Sequence, residues 1–211
     1  LRRIANGMLQ TLIQNGVSVS LARAIEAAAT RQPVEVTEEQ RTQAHDFVVR
    51  RLEQLLADDG SPREVVRSVL AERSDDPHLA VATVADLACA YKTPEFAAVM
   101  ASYSRPTKLV SGKDYDSGWT VDEGLFRQDE ERDLWAAYKA VEAEMGAAGP
   151  SPGVGAFVEA SGALEAPLES FFNSVFVMDE DESVRSNRLA MMRDIAALPK
   201  GLLDLGSLPN F

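Results

Sequence analysis

Two histidines, one cysteine and a run of acids are the side chains of this sequence that could begin a catalytic or metal-binding site. His45 and His78 stand alone. Neither belongs to a His-x-x-x-His or Glu-x-x-His pattern, which would set two ligands on one helical face. They read as a helix surface or boundary residue and a first-turn residue. Cys89, in Leu87-Ala88-Cys89-Ala90, reads as a small buried hydrophobe, and one cysteine excludes a disulfide framework or a cysteine-rich metal site. Asp179-Glu180-Asp181-Glu182 reads as carboxylates at a helix N-terminus, favoured there by the macrodipole and by capping of backbone N–H groups. Gly153-Val154-Gly155 lacks the strand-to-helix setting of a phosphate loop. No catalytic residue, no metal ligand and no cofactor is therefore assigned to this chain.

The positive charge carries more information. The 211 residues hold 33 acids against 21 Lys and Arg, a net charge of −12, which argues against a simple basic nucleic-acid-binding protein. Two stretches depart from that average. Residues 92–113 carry Lys92, Arg105, Lys108 and Lys113 against Glu95, and residues 183–200 carry Arg185, Arg188, Arg193 and Lys200 against Asp194. Because screening confines a charge's reach to ~8–10 Å at physiological salt, local patches of this kind can still hold a polyanion.

The elements that must position these cations are helical. Ile4, Met8, Leu12 and Ile13 share a face, with Asn15-Gly16 as a stop. A second helix is predicted over about 19–29. Thr37 and Gln40 form a capping-box pattern opening a helix with Ala44, Val48, Leu52 and Leu55 on its stripe, ending at Asp59-Gly60. Ser61-Pro62-Arg63-Glu64, Asp76-Pro77 and Thr93-Pro94-Glu95 open three more. At about 100° per residue, Phe96, Val99, Met100, Tyr103, Thr107 and Val110 form one stripe. Arg105 lies opposite it and Lys108 on its flank, provided the helix continues past Pro106, where a backbone hydrogen bond is lost. A loop is expected over 111–124, an acidic solvated helix to Met145, and a flexible connector over 146–155. Helices over about 157–174 and 182–198 follow. The last has Val184, Met191, Met192, Ile195 and Leu198 on its apolar stripe, Arg188 within it and Asn187 at its edge. Arg188 thus reads as a buried guanidinium paired with a carboxylate. Arg105, Lys108, Arg185 and Arg193 read as solvated charges or polyanion contacts. Tyr103 and Phe126 read as core residues before base-stacking ones.

The fold class is all-α, a helical bundle with short connections. No apolar run approaches the ~20 residues that span a bilayer, and the N-terminus lacks the apolar stretch of a signal peptide. The absence of an initiator Met suggests a stretch of a longer protein.

Residues 166–178, Ala-Pro-Leu-Glu-Ser-Phe-Phe-Asn-Ser-Val-Phe-Val-Met, followed by Val184-Arg185-Ser186-Asn187-Arg188-Leu189-Ala190, resemble the C-terminal signature of the β subunit of bacterial-type glycyl-tRNA synthetase. Leu1-Arg2-Arg3-Ile4-Ala5-Asn6-Gly7-Met8-Leu9-Gln10 resembles that family's stretch after its central domains. Ser104-Arg105-Pro106-Thr107-Lys108-Leu109 occupies the place of its Lys-Arg-Val-x-Asn-Ile segment, with Pro106 for Val and Lys108 for Asn. Ser104–Thr107, Asp122–Phe126 and the ending Leu198-Pro199-Lys200-Gly201 through Leu208-Pro209-Asn210-Phe211 resemble the fused plant and algal form.

The resemblance implies a DALR-type anticodon-binding domain over 33–211 after a helical body segment over 1–32. It implies a role in holding the anticodon stem-loop of tRNA(Gly), with Arg105, Lys108, Arg185, Asn187 and Arg188 as RNA contacts. The parent activity would be ATP-dependent attachment of glycine to tRNA. ATP and Mg would bind an α-like catalytic part outside this chain, which would itself lack ligase activity. A dimeric full-length enzyme is expected, in a chloroplast or mitochondrion if plant or algal and in the cytoplasm if bacterial, with no membrane or DNA partner. The rival expectation is a helical protein–protein or dimerisation module working through the acidic helix 122–145.

Overall fold

A computed structural model of the chain describes residues 1–111, 118–149, 151–209 and 211. These are all-α, with no strand among them. They form two compact units: residues 1–89 with 201–210, and residues 90–200 with Phe211.

The first unit contains α1 (Arg2–Gln14), α2 (Leu21–Ala29), α3 (Glu38–Asp58), α4 (Arg63–Arg73) and most of α5 (Pro77–Ala90). Local chemistry sets the helix ends. Thr37 Oγ1 accepts from the Gln40 N–H while the Gln40 side chain accepts from the Thr37 N–H, so the capping box of α3 is complete. Gly16 and Gly60 take positive φ, at 64° and 88°, where α1 and α3 end, a conformation that costs glycine nothing. The start of α4 differs from expectation. Pro62 takes the N-cap position and Ser61 provides no side-chain cap. On α3 the buried residues are Val48, Leu52 and Leu56, one i, i+4 ridge; Ala44, one turn earlier on that ridge, is exposed, and Leu55 is half-buried. Cys89 is exposed. Leu87 faces the core with no accessible surface, and two residues on, at about 200°, the thiol must point away.

The returning segment 201–210 is fastened into this unit. Arg73 Nε donates to Gly201 O at 2.8 Å, Glu72 accepts from the Gly201 N–H, and the Ser68 hydroxyl donates to Asp204 O at 2.7 Å. Leu202, Leu203, Leu205 and Leu208 are buried.

The second unit contains α6 (Pro94–Val110), α7 (Asp129–Ala147), α8 (Val154–Ser161), α9 (Glu165–Ser174) and α10 (Glu182–Ala197). Helix α6 begins as expected, with Thr93 Oγ1 accepting from the Phe96 N–H, and it continues through Pro106 to Val110. The single helix expected over 157–174 is instead α8, a 3₁₀ turn over Gly162–Leu164, and α9. Pro167 explains the restart: proline fits the first helical turn, where no N–H is needed, and opposes a continuous helix. The core is formed by α6 against α10 and by α7 against α8 and α9. Tyr103 is fully buried, its hydroxyl 3.1 Å from Ser161 Oγ, and burial pushes its phenol up to about 12. Phe126 is buried as well. Both are packing residues, the reading preferred for them over base stacking. Residues 112–117 of the expected loop 111–124 lie outside the described residues, and its end runs into a 3₁₀ turn at Glu123–Leu125.

Candidate functional site

Arg105 lies on the solvent side of α6, opposite the buried stripe of Phe96, Val99 and Tyr103. Among the described residues it has no ion pair. Its guanidinium instead lies over the Phe172 ring of α9, 4.0 Å from the centroid, close enough for a cation–π interaction. One turn on, Lys108 is exposed and donates to Ser104 Oγ at 2.8 Å. Continuation of α6 through Pro106 keeps both cations on one side of the helix.

These two residues, with Leu109 and Phe172, form one wall of a groove of about 400 Å³. Residues 175–178 form the other. This segment, the best strand-like run in the sequence, forms no strand but retains strand-like alternation. Val175 and Val177 are buried, while Phe176 is 73% exposed and Met178 51% exposed. On the other side of Arg105 and Phe172, a second groove of about 260 Å³ is lined by Ser102, Glu165, Glu169 and Asn173. The Arg105–Phe172 stack therefore separates an apolar, cationic groove from one bearing carboxylates and an amide.

The ledge 175–178 is held from behind by Arg188. Its side chain is 2% exposed and belongs to the buried face of α10. Nη1 donates to Phe176 O at 2.8 Å and to Asp179 Oδ2 at 2.9 Å, and Nε donates to Glu131 Oε1 at 2.8 Å. Glu131 has no exposed side-chain surface. Its other oxygen accepts from the Arg127 and Gln128 N–H groups. Burial raises its pKa, but the Arg188 hydrogen bonds and those two N–H groups outweigh burial and leave it below the ordinary carboxylate range. The Asp181 N–H, followed by the charges of Arg188 and Arg127, likewise holds Asp179 low.

The five expected contact residues thus divide by position. Arg105 and Lys108 face the groove. Arg185 is half-buried and donates to Asp179 O at 2.8 Å, which fixes the turn after the ledge. Asn187 is buried, its side chain pairing with both the N–H and the C=O of Asp122. Arg188 is the buried, carboxylate-paired guanidinium that its place on the apolar stripe indicated. The acidic run 179–182 bonds to backbone N–H groups as expected, and it also pairs with Arg127 and Arg188. Several acids of the α7 region are likewise engaged within the unit: Glu123 with Lys139 and Trp135, Asp129 with Arg132, and Glu142 with the Tyr138 hydroxyl.

Sequence reasoning missed Phe172, Phe176 and Met178 as groove-lining residues. The signal was present in Val175-Phe176-Val177-Met178, where alternation puts two large apolar side chains on the face opposite two valines. His45 lies 3.4 Å from Asp75 through Nε2, and His78 is in the first turn of α5. Among the described residues no group of three or more His, Cys, Asp or Glu could hold a metal ion, and no helix is long and apolar enough to cross a membrane.

On this all-helical scaffold the exposed cations Arg105 and Lys108 thus share a groove with the exposed Phe176 and Met178. Residues 1–71 match the family model described as glycyl-tRNA synthetase beta subunit. The whole chain is 45% identical to a stretch covering 20% of the chloroplastic/mitochondrial glycine–tRNA ligase 2 of Arabidopsis thaliana. It is also 31% identical, over 99% of its length and 30% of the relative, to the glycine–tRNA ligase beta subunit of Neisseria meningitidis. With that of Anaeromyxobacter dehalogenans it shares 32%, over 97% of its length and 30% of the relative. By these likenesses the chain is similar to a segment of glycyl-tRNA synthetases of the β-subunit type. It spans 20–30% of the length of these relatives.

Proposed function

We propose that this chain is the anticodon-binding region, of the DALR type, of a glycine–tRNA ligase of the bacterial and organellar kind, and that its second unit holds the anticodon loop of tRNA(Gly). The observation that supports this reading is the groove in which Arg105, stacked on Phe172, and Lys108 face the exposed Phe176 and Met178. Single-stranded loops are recognised by stacking unpaired bases on aromatic or guanidinium planes, by hydrogen-bonding their edges, and by neutralising phosphates. Phe176 provides the plane, while Arg105 and Lys108 provide the charge. Glycine tRNAs carry two anticodon cytosines. A cytosine offers an amine donor beside ring and carbonyl acceptors. Glu165 and Glu169 in the adjoining groove suit the amine, and Arg105 and Asn173 suit the acceptors. Asn187, Arg185 and Arg188, named as contacts by the resemblance, act in this reading by holding the ledge and its turn in place.

Ligation itself, with ATP, Mg and glycine, belongs in this proposal to an α-like catalytic part outside the chain. Assembly with that part, a dimeric full-length enzyme and residence in a chloroplast or mitochondrion belong to the same proposal. The chain alone is expected to bind RNA without charging it.

The test is a filter-binding titration with transcribed tRNA(Gly) against copies in which either anticodon cytosine is replaced. Each replacement is expected to weaken binding by about 1–3 kcal/mol, by analogy with base readout elsewhere. Equal affinity for the parent and both replaced transcripts overturns anticodon recognition.

A further inference from the structure

A second cationic site lies within the first unit. One face of α3 presents Arg50, Glu53, Gln54 and Ala57, at i, i+3, i+4 and i+7. One face of α4 presents Arg63, Val66 and Arg67, at i, i+3 and i+4. Together they line a groove of about 330 Å³. The turn joining the two helices is closed by the Ser61 N–H donating to Leu56 O, with Gly60 at positive φ. Arg50, Arg63 and Arg67 are all exposed. Among the described residues none of their side chains has a hydrogen bond or an ion pair. Glu53 is the one carboxylate on the groove, and it forms no ion pair with any of the three. Gln54 donates to Asp58 Oδ1 at 2.7 Å.

Three such arginines line this one groove. Arg41, Arg127, Arg132 and Arg188 each have a carboxylate within 4 Å. Three guanidinium groups around one groove repel one another, and one unpaired Glu53 leaves them in excess. An anion in the groove removes the repulsion, and guanidinium forks match phosphate oxygens two at a time.

We propose that the α3–α4 groove binds the phosphodiester backbone of RNA, as a second site separate from the groove at Arg105. The choice of RNA among phosphate-bearing ligands rests on the reading of the chain as a tRNA-binding segment. Backbone contacts of this kind position RNA and carry no sequence information.

The experiment uses the 211-residue chain, with affinity for tRNA(Gly) and for an unrelated duplex RNA measured across a range of salt concentrations. The groove variant is Arg50→Gln with Arg63→Gln and Arg67→Gln. The control is Arg2→Gln with Arg3→Gln and Arg31→Gln, which removes the same charge from exposed positions outside the groove. Helical circular dichroism verifies that both fold. The groove variant is expected to bind both RNAs about tenfold more weakly and to flatten the log–log salt slope by roughly two, since each lost phosphate contact releases about one counterion fewer. Its discrimination between parent and replaced anticodons is expected to stay unchanged. Millimolar inorganic phosphate is expected to weaken RNA binding to wild type more than to the groove variant. The proposal is overturned if the groove variant keeps the wild-type affinity and slope, if the control loses as much, or if inorganic phosphate alone binds the groove while RNA affinity ignores the substitutions. Loss of anticodon discrimination in wild type would instead overturn the reading of the Arg105 groove.

Discussion

Truncating Glu131 to alanine is expected to destabilise the second unit by about 3–5 kcal/mol, read as a lowered urea midpoint. The reason is the state of what remains. Glu131 is fully buried against Arg188, which is itself 2% exposed. Removing the carboxylate leaves a buried guanidinium with less compensation and strips two N–H groups, of Arg127 and Gln128, of their acceptor. Breaking a buried pair from one side costs far more than the pair contributes as a whole. The same group sets an acid limit. Its folded pKa lies below the ordinary value, so the unfolded chain binds the proton more readily. The stabilisation is therefore fully present above the usual carboxylate range of ~4.3 and is lost as pH falls through the lower folded value. The alanine variant should show a shallower decline of stability over that window. A midpoint shift worth less than about 1 kcal/mol, with an unchanged acid profile, would show that the network is not what holds the ledge.

Replacing Arg105 with alanine is expected to lower affinity for the anticodon stem-loop by about 1–3 kcal/mol and to flatten its salt dependence, with little effect on stability because the side chain lies outside the core. Arg105→Lys separates charge from shape. Lysine keeps the charge but lacks the planar face that lies over Phe172, so it should restore the salt slope more fully than the affinity. Wild-type affinity and slope in the alanine variant would remove Arg105 from the site.

Much of this was legible from local chemistry. The capping box at Thr37 and Gln40, the opening of α6 at Thr93, and the outward position of Arg105 all follow from spacing along a single helix. Arg188 was legible as a buried, paired guanidinium from its place on an apolar stripe. Its main partner was not. Glu131 lies 57 residues away in what reads as a solvated acidic helix, and no local pattern distinguishes it from the acids beside it. Cys89 was misread because an alanine-rich neighbourhood looks buried on all sides until the Leu87 face is fixed. The α3–α4 groove was hidden for a similar reason. Arg50 lies in one helix and Arg63 and Arg67 in the next, and neither stretch stands out in a count of charges along the chain.

The fastening of residues 201–210 onto α4 has a consequence for the order of assembly. The hydroxyl of Ser68 meets its acceptor 136 residues further along the chain, and Arg73 meets Gly201 at a separation of 128. While the polypeptide emerges from the ribosome, the early helices must wait, with a strip of leucine-binding surface uncovered, until the entire intervening unit has been made. Producing residues 1–89 alone would therefore yield an incomplete body, whereas joining the 201–209 segment to residue 89 through a glycine-rich tether would supply the missing lid.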